Sequence, residues 1–145
     1  MSETSINHSP KHYIAIVEDD GSLGRSLARF LQASGYQPVT YHCAEAFLGD
    51  AKKPVFDCLI VDIQLAGMSG LELGERLARD GSDVPLIFLT AHEYWETLKQ
   101  SIRTPYAALL NKADSGETVQ DAIESSMTDS SHHGRTQQDA AIKNR

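Results

Sequence analysis

The sequence predicts an α/β fold: a doubly wound, five-stranded parallel sheet in the order 2-1-3-4-5, with helices on both faces. Two observations carry this. Short runs that are apolar on both faces alternate five times with stretches of helical periodicity, the pattern of a parallel sheet covered on both sides. Four of those runs end in a polar residue of particular type: acids at 18–20, Asp62, Thr90 and Lys112. Open parallel sheets bind ligands at the carboxyl ends of their strands, where the winding reverses.

Tyr13–Val17 reads as a buried strand that ends abruptly in Glu18-Asp19-Asp20. From Ser22 to Ser34, Leu23, Leu27, Phe30 and Leu31 recur at helical spacing, and Gly35 stops the helix. Tyr36–Tyr41 contains Pro38, so it is a strand only at an edge. Ala44–Asp50 suits a short helix. Phe56–Val61 is a second apolar run ending in Asp62. After a turn at Gly67-Met68-Ser69-Gly70, Ser69 and Glu72 have capping-box spacing and open a helix through Asp80. Pro85–Leu89 is a third buried strand ending at Thr90. Trp95, Leu98 and Ile102 mark the inner stripe of a helix that stops before Pro105. Ala107–Leu110 is the last strand and leads into Lys112. Asp114 and Glu117 give a second capping box, for a helix carrying Val119, Ile123 and Met127.

The chain has 145 residues, 41% apolar and 23% charged, which fits one globular domain with a short tail. Residues 1–11 are expected to be a flexible N-terminus, 12–127 the folded domain and 128–145 a polar, disordered tail. A net charge of −7 argues against direct nucleic-acid binding, since a duplex repels an acidic surface. No apolar run approaches the length needed to span a bilayer or to serve as a signal peptide. Cys43 and Cys58 lack metal-ligand spacing and read as free thiols in a reducing cytoplasm. No Walker A pattern is present.

With strands one and three as neighbours, Glu18, Asp19 and Asp62 converge, flanked by Thr90 and Lys112. Three carboxylates this close repel one another unless a cation sits among them, and all-oxygen ligation with room for waters suits Mg²⁺. Phosphoryl transfer needs an in-line nucleophile, a bridging metal and cationic donors on the remaining oxygens. Asp62 supplies the nucleophile, Lys112 the cation and Thr90 a hydroxyl donor. Each residue alone has a plainer reading. Acids favour the first turn of a helix, Asp62 could close a turn, Thr90 could be an ordinary strand-end hydroxyl, and a lysine is usually a solvated charge. Their arrival together at separate strand ends is what carries the argument.

Over Tyr13–Met127 the sequence resembles the receiver domain of two-component response regulators. The resemblance rests on Ile14-Ala15-Ile16-Val17-Glu18-Asp19-Asp20, on Leu59–Gly70 around Asp62, on Pro85–Ala91 around Thr90, and on Leu109-Leu110-Asn111-Lys112. It implies a regulatory switch rather than an enzyme, phosphorylated on Asp62 by a sensor histidine kinase or a histidine phosphotransfer protein. It further implies that Asp19 holds the metal directly and Glu18 through water, with the Gln64 carbonyl as another ligand. Gln64 and His92 would tune loss of the phosphoryl group. The face of helix four, strand five and helix five would respond and serve for docking or homodimerisation.

Four departures from the family pattern stand out. Ala66 and Ala113 replace usual prolines, so the Lys112–Ala113 peptide is expected to be trans. Thr104-Pro105-Tyr106 replaces a small turn. Leu109 replaces the switching aromatic, leaving Tyr94, Trp95 and Tyr106 as nearby substitutes. That last change favours an alternative: a receiver-like interaction module that phosphorylation does not control. A phosphatase working through an aspartyl phosphate would place an acid two residues after the nucleophile, where Gln64 stands and cannot donate a proton.

Overall fold

The structure, a computed structural model, describes residues 11–129, except for the side chains of His92 and Asp129. The remainder of the expected flexible N-terminus and tail lies outside the described residues. The order is β1 (Tyr13–Val17), α1 (Gly21–Ala33), β2 (Gln37–Tyr41), α2 (Ala44–Leu48), β3 (Cys58–Asp62), α3 (Gly70–Arg79), β4 (Leu86–Thr90), α4 (Trp95–Ser101), β5 (Ala108–Asn111) and α5 (Gly116–Asp129). One 3₁₀ turn, His92–Tyr94, leads into α4.

The strands form one parallel sheet in the order β2-β1-β3-β4-β5, as the sequence predicts. Alternate residues of the three central strands, β1, β3 and β4, feed two separate cores. Ala15, Val17, Leu59, Val61, Leu86 and Phe88 face Phe47 of α2 and Leu73 of α3. Ile14, Ile16, Ile60, Ile87 and Leu89 face Leu27 and Leu31 of α1 and Val119 and Ile123 of α5. The central strands are buried on both sides because helices lie on both sides. β2 pairs only with β1, so Pro38 sits in an edge strand where a missing N–H is tolerated.

Local chemistry sets the boundaries. α1 begins one residue earlier than expected because Asp20 caps it, its Oδ1 accepting from the amides of Ser22 and Leu23. It ends where Gly35, at φ +100°, turns the chain, with the Tyr36 amide donating to the Leu31 carbonyl and that of Gly35 to Gln32. At α3 both halves of the predicted capping box form, between Ser69 and Glu72. The second predicted box is corrected. Ser115, not Asp114, caps α5, its Oγ accepting from the Thr118 amide. Asp114 instead accepts from the Asn111 amide and closes the turn after β5. No cis peptide bond occurs among the described residues, so Lys112–Ala113 is trans as expected.

Candidate functional site

The reversal of winding lies between β1 and β3, whose ends stand level: Val17 pairs with Val61, and the next residues are Glu18 and Asp62. Both carboxylates are therefore carried to one place by rigid, buried strands. Glu18 is 3% exposed and Asp62 fully buried. Asp19, one residue along, is exposed at the mouth. One carboxylate oxygen from each of Glu18, Asp19 and Asp62 lies within 4.8 Å of the others. Asp20 is not part of this cluster, because helix capping occupies its side chain.

Lys112 reaches in from the far side. Its Nζ donates to Asp62 Oδ2 at 2.8 Å and, at 3.4 Å, to Glu18 Oε2. The Lys112 amide donates to the Thr90 carbonyl at 2.9 Å, locking the ends of β5 and β4 together. Thr90 is fully buried at the last position of β4, its hydroxyl donating to the Ala91 carbonyl at 3.4 Å. The backbone supplies the remaining donors. The Gln64 amide donates to Asp62 Oδ1 and the Asp20 amide to Glu18 Oε2, each at 3.0 Å.

The electrostatics are unbalanced without a further cation. Burial, with help from the neighbouring Asp62 charge, pushes the Glu18 carboxyl up to about 7, despite the Asp20 amide and Lys112 pulling the other way. Burial opposes the Lys112 charge, yet the hydrogen bond and charge of Asp62 outweigh it and raise its pKa. Glu18 Oε1 is buried with no hydrogen-bond partner, and a lone pair aimed at no donor in such a place costs free energy. One ammonium thus faces two buried carboxylates and a third exposed one. This oxygen-rich donor set fits a hard divalent cation such as Mg²⁺.

All five side chains expected at the site thus come to one end of the sheet, with Gln64 at its rim. The His92 side chain lies outside the described ones. Two features were not anticipated. Gly70 packs so close beneath the site that a Cβ there would lie 2.3 Å from the Asp62 carbonyl oxygen. Glu45, on α2, accepts a hydrogen bond from the Met68 amide in the loop after β3. That contact spans 23 positions in sequence, so no local pattern announces it. The proposed aromatic substitutes also lie differently from a simple replacement. The Tyr106 ring packs 6.0 Å from Phe88, two residues before Thr90 on the same face of β4, while Tyr94 is 45% exposed. Leu109 fills the space opposite Phe88 on β5.

A doubly wound α/β domain with an acid cluster and a lysine at its switch point defines the class. The family follows from comparison: residues 14–124 match the response regulator receiver domain. The chain belongs to that family, whose members are regulatory components of two-component systems. It is 37% identical over 84 residues to nodulation protein W of Bradyrhizobium diazoefficiens, covering 58% of this chain and 37% of that protein. It is 30% identical over 128 residues to the transcriptional regulatory protein FixJ of Azorhizobium caulinodans, covering 88% of this chain and 60% of FixJ. The chain thus spans only about a third to three-fifths of such relatives. Among solved structures, a CheY-like receiver domain from Methanospirillum hungatei superposes with a TM-score of 0.76 at 22% identity, covering 85% of this chain and 98% of that one. The response regulator StyR gives 0.71 at 27% identity, covering 93% and 67%. No helix among the described residues is long and apolar enough to cross a membrane.

Proposed function

We propose that this chain is a phosphoacceptor switch of a two-component phosphorelay, taking a phosphoryl group on Asp62 in a Mg²⁺-dependent site. The observation that carries the proposal is the pairing of fully buried Asp62 with the Lys112 ammonium at 2.8 Å, beside an acid cluster one cation short of balance. A buried carboxylate at a strand end is fixed in place, and Lys112 marks where a second anion would be neutralised. Asp62 attacks phosphorus through a carboxylate oxygen, the bond from phosphorus to the donor's leaving group breaks, and an acyl phosphate results. Lys112 then exchanges its carboxylate contact for a phosphoryl oxygen, and the Thr90 hydroxyl donates to another. The carboxylates of Glu18, Asp19 and Asp62, with the Gln64 carbonyl, would hold Mg²⁺, which when bound screens charge on the phosphoryl oxygens. The donor is a sensor histidine kinase or a histidine phosphotransfer protein. Output runs through protein docking on the α4–β5–α5 face, in keeping with a net charge of −7 that disfavours direct nucleic-acid contact.

The test is chemical. Incubation with acetyl phosphate and Mg²⁺ should give a single phosphate adduct by intact mass, abolished by EDTA and by Asp62→Asn. An adduct that persists in Asp62→Asn would remove the assignment. Replacement of the switching aromatic by Leu109 favours a second reading, an interaction module indifferent to phosphorylation. That reading predicts adduct formation without any change in the α4–β5–α5 face.

A further inference from the structure

We infer that Glu45 is a positioning residue for the phosphoacceptor pocket, clasping from α2 the tip of the loop that follows Asp62. This rests on the Mg²⁺-site reading above, because what the loop carries into the pocket is the backbone of Gln64.

The loop between β3 and α3 is anchored firmly at both ends. Ile63 donates through its amide to the Leu89 carbonyl, its side chain and that of Leu65 are buried, and the Gly70 amide returns to the Ile63 carbonyl at 2.9 Å. The tip between these anchors, Ala66-Gly67, is exposed. It is held by a different element. Glu45 Oε2 accepts from the Met68 amide at 2.9 Å. Gly67 sits at φ +75°, and a Cβ there would lie 2.8 Å from the same oxygen. Glycine is favoured at that position by the left-handed turn, and a side chain there would push the Glu45 carboxylate aside and loosen the clasp.

An acid near the start of a helix is commonplace, because it complements the helix dipole. That cannot be the whole role of Glu45. α2 has only five residues, and the Met68 amide, ahead of the residue's own backbone, is the main influence that holds the carboxylate below its usual range. The loop tip is thereby referenced to α2, and through α2 to the Ala44 and Phe47 side chains buried in the core. Gln64, at the near end of the same loop, already donates its amide to Asp62. With the tip released, Leu65 alone would hold the far side of the peptide that carries the Gln64 carbonyl, and that peptide would tilt more freely beside the cluster. Affinity for the cation then falls, while the buried carboxylates and Lys112 stay in place.

The experiment is a Mg²⁺ titration of the full chain, followed by amide resonance shifts, with acetyl phosphate kinetics and thermal unfolding measured alongside. Glu45→Ala removes the acceptor, and Glu45→Asp keeps the charge but shortens the reach by one methylene. Both should raise the Mg²⁺ concentration at half-saturation about five-fold, equivalent to about 1 kcal/mol. The phosphorylation rate at saturating Mg²⁺ should be retained. Glu45→Gln keeps an oxygen acceptor for the Met68 amide and should stay within about two-fold of wild type. A purely structural role would lower the unfolding temperature and leave half-saturation unmoved, and that outcome overturns the inference. Should Glu45→Ala fail to fold, the comparison of Glu45→Asp with Glu45→Gln decides. A wild-type chain that does not respond to Mg²⁺ would remove the metal-site reading and this role with it. A wild type that binds, with variants that bind equally, would remove the positioning role alone.

Discussion

Glu18 carries the sharpest cost at the site. It is 3% exposed, one of its oxygens has no partner, and Lys112 spends its shorter hydrogen bond on Asp62. Its carboxyl is pushed up to about 7 from 4.5, chiefly by burial. A raised acid pKa means that the folded state prefers the protonated group. The stability this contributes is complete below pH 4.5 and is lost as pH rises through 7. In metal-free buffer at pH 8, Glu18→Gln should therefore stabilise the domain, by about 3 kcal/mol at most. The advantage should vanish near pH 4.5. Urea unfolding in EDTA at both values checks this, and a variant no more stable than wild type at pH 8 would refute it. Saturating Mg²⁺ should narrow the difference, since a bound cation relieves the same cost. Residue types at this scale were legible from sequence, but their division of labour was not. Asp19 and Asp20 are both exposed acids, yet Asp20 caps α1 while an oxygen of Asp19 stands with the cluster. That distinction rests on backbone direction after β1, which a run of three acids does not encode.

At the scale of elements, the loop from Asp62 to Gly70 is where packing and chemistry meet. A Cβ at Gly70 would sit 2.3 Å from the Asp62 carbonyl oxygen and 2.7 Å from the Ile63 Cα, both backbone atoms that cannot swing aside. Gly70→Ala must push α3 outward or distort the end of β3. We expect a loss of about 3 kcal/mol, at the upper end for overpacked substitutions. Acetyl phosphate labelling should fall with it, because the displaced backbone is that of Asp62 itself. Thermal unfolding together with adduct yield checks both, and a variant with wild-type stability and labelling would show that the loop yields freely. Most element types were readable in advance, because strands buried on both faces and capping residues leave local marks. What failed is instructive. The second capping box shifted by one residue since Asp114 is engaged by the Asn111 amide, leaving Ser115 to cap α5. Acids and serines compete for such positions on equal terms, and only the path of the turn decides. β1 has the bounds expected, while ends of the other four strands moved by one or two residues, since ladder pairing extends until neighbouring strands diverge.

The whole molecule is two cores back to back, and they are not equally committed. α1 and α5 bury Leu27, Leu31, Val119 and Ile123, while α4 has seven residues and no fully buried side chain. Trp95, Leu98 and Ile102 pack only partly against the sheet. An element held this loosely opens at low free-energy cost, and α4 follows directly from Thr90 through one 3₁₀ turn. Hydrogen exchange with beryllofluoride and Mg²⁺ should therefore alter protection across residues 91–112, and not only around 18–20 and 62. A response confined to the acid cluster would favour the interaction module that phosphorylation does not control. The sheet order was legible because apolar strands and strand-end polar residues make sense only if β1 and β3 are neighbours. The weak seating of α4 was not, since its apolar stripe reads like that of any packed helix.

The central claim is that Asp62 receives the phosphoryl group, and one measurement addresses it with least inference. An acyl phosphate is reduced by borohydride to an alcohol, whereas free carboxylates are not. After incubation with acetyl phosphate and Mg²⁺, borohydride reduction and peptide mapping should find homoserine in place of Asp62 and unaltered aspartate at 19, 20 and 57. Homoserine at any of those positions, or an intact Asp62 in a chain that carries the adduct, would contradict the account.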